Sequence, residues 1–407
     1  MLLKNQIIIR MNRKSLLFVL LVFLFGCQVG HRRKIITGEL LDVIDISKNY
    51  PKKEIHIQDI ADIEYIALET TDEVLLSQAS FLSYVSDKYI VIRDGAQSEV
   101  FIFNRNGTIA SHFNRRGQGG EEYTMLREIV FDEKNEEIFI LDIRRILVYS
   151  LSGEYKRTLS SPGDFWMINL YNFDDETMLV YDNFGVTQNS GYSEKPYYLM
   201  SKKDGSVISV LDIQLPVRYS DRIQHEIDLG GGEKGIIPLV IAIRHNRYFG
   251  EEFVIADISS DTIYRLFKNR DLVPILVRTP SVHLSEPRTV WTATLTTDKF
   301  MALYKVTLDF IAADKGRPVP DVFLVYEFES GETSEVTFVD VDYAMRRWYP
   351  PSGNSVPSIS KNMTANLIQV PTLITAYQEK RLKGELEKFV ETLDEDDNPI
   401  VRIIKFK

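Results

Sequence analysis

The sequence predicts an all-β fold: a six-bladed β-propeller of four-stranded antiparallel blades, with one C-terminal amphipathic helix and a closing strand. Three observations predict it. A strand–turn–strand unit recurs five times, with Gly107, Gly153, Gly205, Asp271 and Gly331 at its turns. The strands before the turns are apolar at consecutive positions, as in Val100-Phe101-Ile102-Phe103, which means burial on both faces, as in a sheet between two like sheets. The spacing is 46 residues from Gly107 to Gly153 and 52 from Gly153 to Gly205, close to the roughly 40–50 residues of a propeller blade. A β-sandwich would bury such strands but leaves the spacing unexplained.

Residues 1–26 read as a processing signal, separate from the fold. Arg13 and Lys14 begin a basic-then-apolar pattern that ends at Leu24-Phe25-Gly26-Cys27. The apolar run, 15–25, is shorter than the about 20 residues that span a bilayer. The pattern resembles a bacterial lipoprotein signal, in which Cys27 would carry the lipid; Phe25 stands where a smaller residue is usual. Cys27 is the single cysteine, so an internal disulfide framework and any CxxC metal or redox site are excluded. Of 48 basic residues, 4 lie in 1–26 with no acid, which leaves 44 against 58 acidic residues and a charge of −14. Phosphate-backbone binding relies on Lys and Arg, so nucleic acid is not expected as a partner.

Residues 27–60 read as a tether with a short strand at 40–46, followed by an alternating strand at 63–68. The propeller is expected over 61–371. Its repeats run 88–94, 100–103 and 108–113; then 137–142, 146–149 and 154–159; then 177–182, 197–200 and 206–211; then 253–257, 263–267 and 272–277; and last 323–328 and 333–339. The intervals of 66 residues to Asp271 and 60 to Gly331 must hold insertions, one at 220–238 around Gly230-Gly231-Gly232, another between Pro280 and Thr292. Six blades fit the length; seven would fit if an insertion hid one. In 372–407, Leu382, Leu386, Phe389, Val390 and Leu393 fall at helical spacing. Asn398-Pro399 ends that helix, and 400–406 is the last strand. The strands at 63–68 and 400–406 are the candidates for closing the ring.

The segment IEYIALETT at 63–71, Asp94 and Asp142 at strand ends, Gly117-Gln118-Gly119-Gly120-Glu121-Glu122-Tyr123, and the terminal NPIVRIIKFK resemble the six-bladed β-propeller lipoproteins of Bacteroidota, relatives of the NHL-repeat propellers. The chain departs from their GxGPGEY loop at Gly120, where proline is usual, and by one extra glutamate. The resemblance implies a fold and an envelope address, and no particular activity. The basic residues after Cys27, unlike the acidic ones of surface-exported relatives, favour the periplasmic face of the outer membrane.

Several groups carry possible chemistry. Consecutive glycines at 117–120 can expose N–H groups as an anion nest, with Arg115, Arg116, Glu121 and Tyr123 around it; the competing role is a corner between blades. Arg346-Arg347-Trp348-Tyr349 pairs cations with flat rings, suited to stacking a sugar or peptide, or to plugging a blade junction. Asp94, Asp142, Asp182 and Asp257 end second strands and could together bind calcium, or else accept turn N–H groups. No other cofactor is suggested. His31, His56, His112, His225, His245 and His283 show no metal-ligand spacing. The leading functional expectation is a lipid-anchored module that binds a glycan, peptide or envelope protein on its loop face. The alternative is a hydrolase or lyase acting on glycan or peptide at the central channel.

Overall fold

A strand buried on both faces needs a neighbour on each, and a closed ring of sheets supplies both. A computed structural model of the chain describes residues 33–36, 39–143, 145–160, 167–182, 194–219, 222–240, 246–308, 321–344, 346–350, 356–357 and 362–407; Cys27, His31 and His245 lie outside them. Blade one is Ser80–Val85, Tyr89–Asp94, Glu99–Asn104 and Ile109–Phe113. Blade two is Glu128–Asp132, Glu137–Leu141, Arg145–Ser150 and Tyr155–Ser160. Blade three is Met167–Asn172, Thr177–Asp182, Tyr197–Ser201 and Val207–Val210. Blade four is Asn246–Phe249, Glu252–Ile255, Thr262–Leu266 and Leu272–Thr279. Blade five is Thr289–Thr296, Phe300–Thr307, Asp321–Glu327 and Thr333–Asp340, extended by Arg346–Trp348. The expected six-bladed ring is what forms.

Each pair of neighbouring blades shares one apolar cluster, and alternate residues of a strand go to opposite clusters. Ile90 and Ile92 face blade six, while Val91 faces blade two. All three are 0% exposed. That division is the physical reason for the unbroken apolar runs, since neither face of a middle strand meets water.

The ring closes with both ends of the chain. Blade six consists of Val356–Pro357, Met363–Ile368, Ile400–Phe406 and, outermost, Ala61–Ile66. The last two pair antiparallel from Val401↔Ile66 to Phe406↔Ala61. The early strand thus begins two residues before the expected 63, and its partner is the terminal strand. Asn398 secures the junction: its side chain donates to Glu69 O and Val74 O and accepts from Leu76 N.

Two expectations need correction. Residues 39–56 are not a free tether: the short strand expected at 40–46 forms as Glu39–Asp45, and with Lys52–His56 it makes a belt across blades four and five. Glu39–Asp45 pairs with Arg33–Ile36 and lies parallel along Leu272–Thr279 of blade four. Lys52–His56 then lies parallel along Thr333–Asp340 of blade five. Ile44 and Ile46 sink into the cluster between those blades. The single helix expected from residue 372 onward is two, Val370–Gln378 and Gly384–Val390. Gly384 stands at φ 63° between them, and a Cβ there would come 2.8 Å from Asp342 Oδ1. The turn needs a left-handed residue, and glycine supplies it without steric cost. Leu382 and Leu386 keep helical spacing across the break because both reach one cluster, with Leu373 and Ile400.

The expected insertion at 220–238 is a separate hairpin, Arg222–Gly230 with Glu233–Val240. At the blade-one turn, Gly107 sits at φ 90°, and a Cβ would lie 2.0 Å from Ala67 O. That turn is pressed against the incoming chain, so its glycine answers to contact as well as to conformation.

Candidate functional site

Antiparallel connectivity sorts the loops onto two faces. Loops after second and fourth strands share one face, and the Gly-rich segment, the strand-end aspartates and residues 341–349 all lie there. The structure does not gather them into one site.

The N–H groups of Gly117, Gly119 and Glu122 are satisfied from within the segment. Glu122 Oε2 accepts from Gly119 N at 2.8 Å, and Tyr123 O accepts from Gly117 N at 3.0 Å. A Cβ on Gly117 would come 1.9 Å from Glu122 Oε2, so the glycines make room for the chain's own carboxylate. The nest is filled by Glu122. Arg115 donates through Nε to Gly153 O at 2.8 Å, and Tyr123 Oη donates to Ser98 O at 2.6 Å. Tyr123 is fully buried, and burial pushes its hydroxyl up to about 12. Arg145 and Tyr149 hold the backbone of Gly120, Glu121 and Glu122 onto blade two. Arg116 and Glu121 point outward as exposed side chains. The segment is a corner between blades one and two.

The strand-end aspartates serve their own loops. Asp94, 0% exposed, accepts from Ser77 N and Oγ, Ser80 Oγ, Ala96 N, and Gln97 N and Nε2. Burial alone would raise its carboxyl; the bonds from Gln97, Ser77 and Ser80 outweigh burial and hold it below the usual range. Asp142 behaves alike, with Thr124 Oγ1 at 2.7 Å, Met125 N at 3.0 Å and Arg145 Nε at 3.2 Å. Asp257 accepts from Tyr197 Oη at 2.7 Å and Ser259 N at 2.8 Å. Asp182 is buried at the end of its strand, with its carbonyl bonded by Arg218. Among the described residues, no group of three or more His, Cys, Asp or Glu is arranged to hold a metal ion. Of the histidines, His112 bonds Glu99 and stacks on Phe101, His56 sits beside Glu54 and Asp59, and His283 bonds Tyr219.

The second cluster does line a cavity. A hollow of about 500 Å³ opens on this face where blades five, six and one meet. Its floor is an ion pair: Arg402 Nη1 lies 2.7 Å from Asp340 Oδ2, with both side chains largely buried. Arg402 Nε donates to Asn366 Oδ1 at 3.1 Å, and Gln58 Nε2 donates to Asp340 Oδ1 at 2.7 Å. One wall carries Tyr343, Arg346, Arg347, Trp348 and Tyr349. A turn with Ala344 at φ 49° directs this wall, and Arg346 N closes it on Tyr343 O at 2.9 Å. Arg346 lies over the Tyr343 ring and Arg347 over the Tyr349 ring, at 5.0 and 4.9 Å. The opposite wall carries Gln78, Thr364, Gln369 and Thr372.

Of the two roles expected for this cluster, Trp348 takes the plug at a blade junction. It is 7% exposed and packs on Phe338 and Phe406, so it anchors the wall. The exposed ring is Tyr349, at 51%. Sequence reading also passed over Gln78, Thr364, Gln369 and Thr372. The break of the 370–378 helix at its start, with Pro371 in the first turn, was the only local signal near them.

A family model described as a domain of unknown function, DUF4934, matches residues 41–405. The chain belongs to the DUF4934 family. The match begins in the belt strands and ends in the closing strand, so it spans the whole ring. No curated protein matches the sequence. Among solved structures, this DUF4934 chain is similar to a Bacteroides fragilis NCTC 9343 protein described as a "Putative exported protein": 14% identity, 88% of this chain and 99% of that one, TM-score 0.58. It also matches a DUF4221-family member from Bacteroides vulgatus at 10% identity, 86% and 99% coverage and TM-score 0.46. The first of these likenesses establishes the fold alone.

Proposed function

We propose that this chain is a binding module of the bacterial cell envelope, which seats a glycan or peptide in the cavity between blades five, six and one. The observation that carries the reading is that cavity, about 500 Å³ and lined by both polar and apolar side chains. Its volume falls within the range of small-molecule sites. A partner protein of the envelope would dock on the same loop face. The address rests on the signal-like segment before Cys27, and a lipid on Cys27 would hold the protein to the periplasmic face of the outer membrane. The Bacteroides fragilis neighbour's description as exported agrees with this. Among the described residues no helix is long and apolar enough to cross a membrane.

Hydrogen exchange of the full chain, with and without pooled envelope glycans and peptides, tests the seat. Protection is expected at 343–349 and 368–372. Protection confined to the opposite face, or none with any pool, sinks the reading. Cys27→Ala should move the protein from the membrane fraction to the soluble one.

A further inference from the structure

The cavity's charge runs against that of the chain. Its lining holds Arg346, Arg347 and Arg402 against the single acid Asp340, in a protein whose formal net charge is −10. Arg402 and Asp340 satisfy one another, which leaves Arg346 and Arg347 as the surplus. Both are exposed, and among the described residues neither is part of an ion pair. The helix Val370–Gln378 begins at the same cavity: Gln369 and Thr372 line it, no side chain caps the helix, and no acid lies in its first turn. The positive end of its dipole therefore adds to the two guanidinium groups.

We propose that this cavity seats an acidic sugar, a hexuronate residue of a glycan, with its carboxylate on Arg346 and Arg347. The proposal rests on the binding reading above. Planar guanidinium groups match a carboxylate with paired hydrogen bonds. The remaining groups suit a polyol. The side chains of Gln78, Gln369 and Thr372, all in the lining, form no hydrogen bond among the described residues. A peptide carboxylate would satisfy the arginines as well, and the lining also holds Phe81, Leu82, Leu367 and Ile368; the unbonded amides and hydroxyl of Gln78, Gln369 and Thr372 are what favour a polyol. Tyr349 offers a half-exposed ring at the rim for the apolar face of a sugar.

Calorimetric titration of the full chain at low salt uses four probes: uronic-acid trisaccharides, the matching neutral trisaccharides, a hexapeptide with a free carboxylate, and inorganic phosphate. The uronates are expected to bind at least tenfold more tightly than the other three. Arg347→Gln or Arg346→Gln should weaken them by about tenfold to a hundredfold, while Arg116→Gln on the Gly-rich corner leaves binding unchanged. Equal binding of neutral sugars leaves the binding reading standing and overturns the acidic assignment. Tighter binding of the peptide or of phosphate overturns the sugar assignment. Binding of none of the four overturns the acidic-sugar assignment, while the binding reading is decided by the exchange experiment with the pooled ligands.

Discussion

Replacing Asn398 tests whether the ring closes as its hydrogen bonds indicate. Asn398 is 3% exposed, donates to Glu69 O at 2.8 Å and Val74 O at 2.7 Å, and accepts from Leu76 N at 2.8 Å. Its own N–H bonds Thr70 Oγ1 at 2.9 Å, a contact that alanine keeps. Asn398→Ala deletes the three side-chain bonds and leaves two carbonyls and one N–H without them. At roughly 1 kcal/mol net for each bond, the loss is about 3 kcal/mol. With a urea m-value of about 3 kcal/mol/M, the unfolding midpoint should fall by about 1 M. Asn398→Asp should cost more, because it sets a carboxylate oxygen against two carbonyls. Asn114→Ala, which removes two exposed bonds, one to Gln97 O and one from Arg116 N, should cost no more than about 1 kcal/mol. A loss below about 1 kcal/mol for Asn398→Ala, or an aspartate variant as stable as the parent, would refute the latch.

Two further outcomes follow from buried charge. Lys202 and Asp132 form a buried pair at 2.5 Å, with side chains 4% and 3% exposed, so Lys202→Met should cost about 3–5 kcal/mol by stranding Asp132. Adding Asp132→Asn, which keeps the cap on Asn135 but removes the charge, should recover more than half of that in denaturant titrations. The second outcome concerns acid. Asp94 and Asp142 have carboxyls held below their usual 3.8 in the folded state. Their contribution is therefore complete above about pH 4 and is lost as pH falls through their folded values. Thermal unfolding should be nearly level from pH 7 to pH 5 and decline below pH 4. Asp94→Asn should flatten that decline; a transition temperature that rises on acidification contradicts the sign.

The blades were legible because each strand–turn–strand unit carries its own instructions. Continuous apolar runs such as Val100 to Phe103 and a left-handed turn at Gly107 are local signals. Of the belt, the short strand at 40–46 was legible and forms as Glu39–Asp45; its parallel pairing and the second strand, Lys52–His56, were not, because both pair with strands more than 200 residues away. The break at Gly384 was hidden because Leu382 and Leu386 share one cluster from two separate elements. In the cavity, Arg346 to Tyr349 stood out as cations beside rings, whereas Gln78 and Gln369 come from blades that meet only when the ring closes. An amide in a loop carries no local mark of such a meeting. The Gly-rich segment showed the reverse: its motif was visible, but Glu122 fills it from within.

The belt also sets how the ring bears load. A pull entering the chain ahead of residue 33 meets the Arg33–Ile36 and Glu39–Asp45 hairpin first, then the parallel seam on blade four and the one on blade five, before it reaches Ala61–Ile66. Both seams would have to slip before tension fell on the strand that completes the circle. The two seams act in series as strain relief, much as a clamped cable spares its terminal, so a propeller held by its amino-terminal end can be tugged without being unzipped.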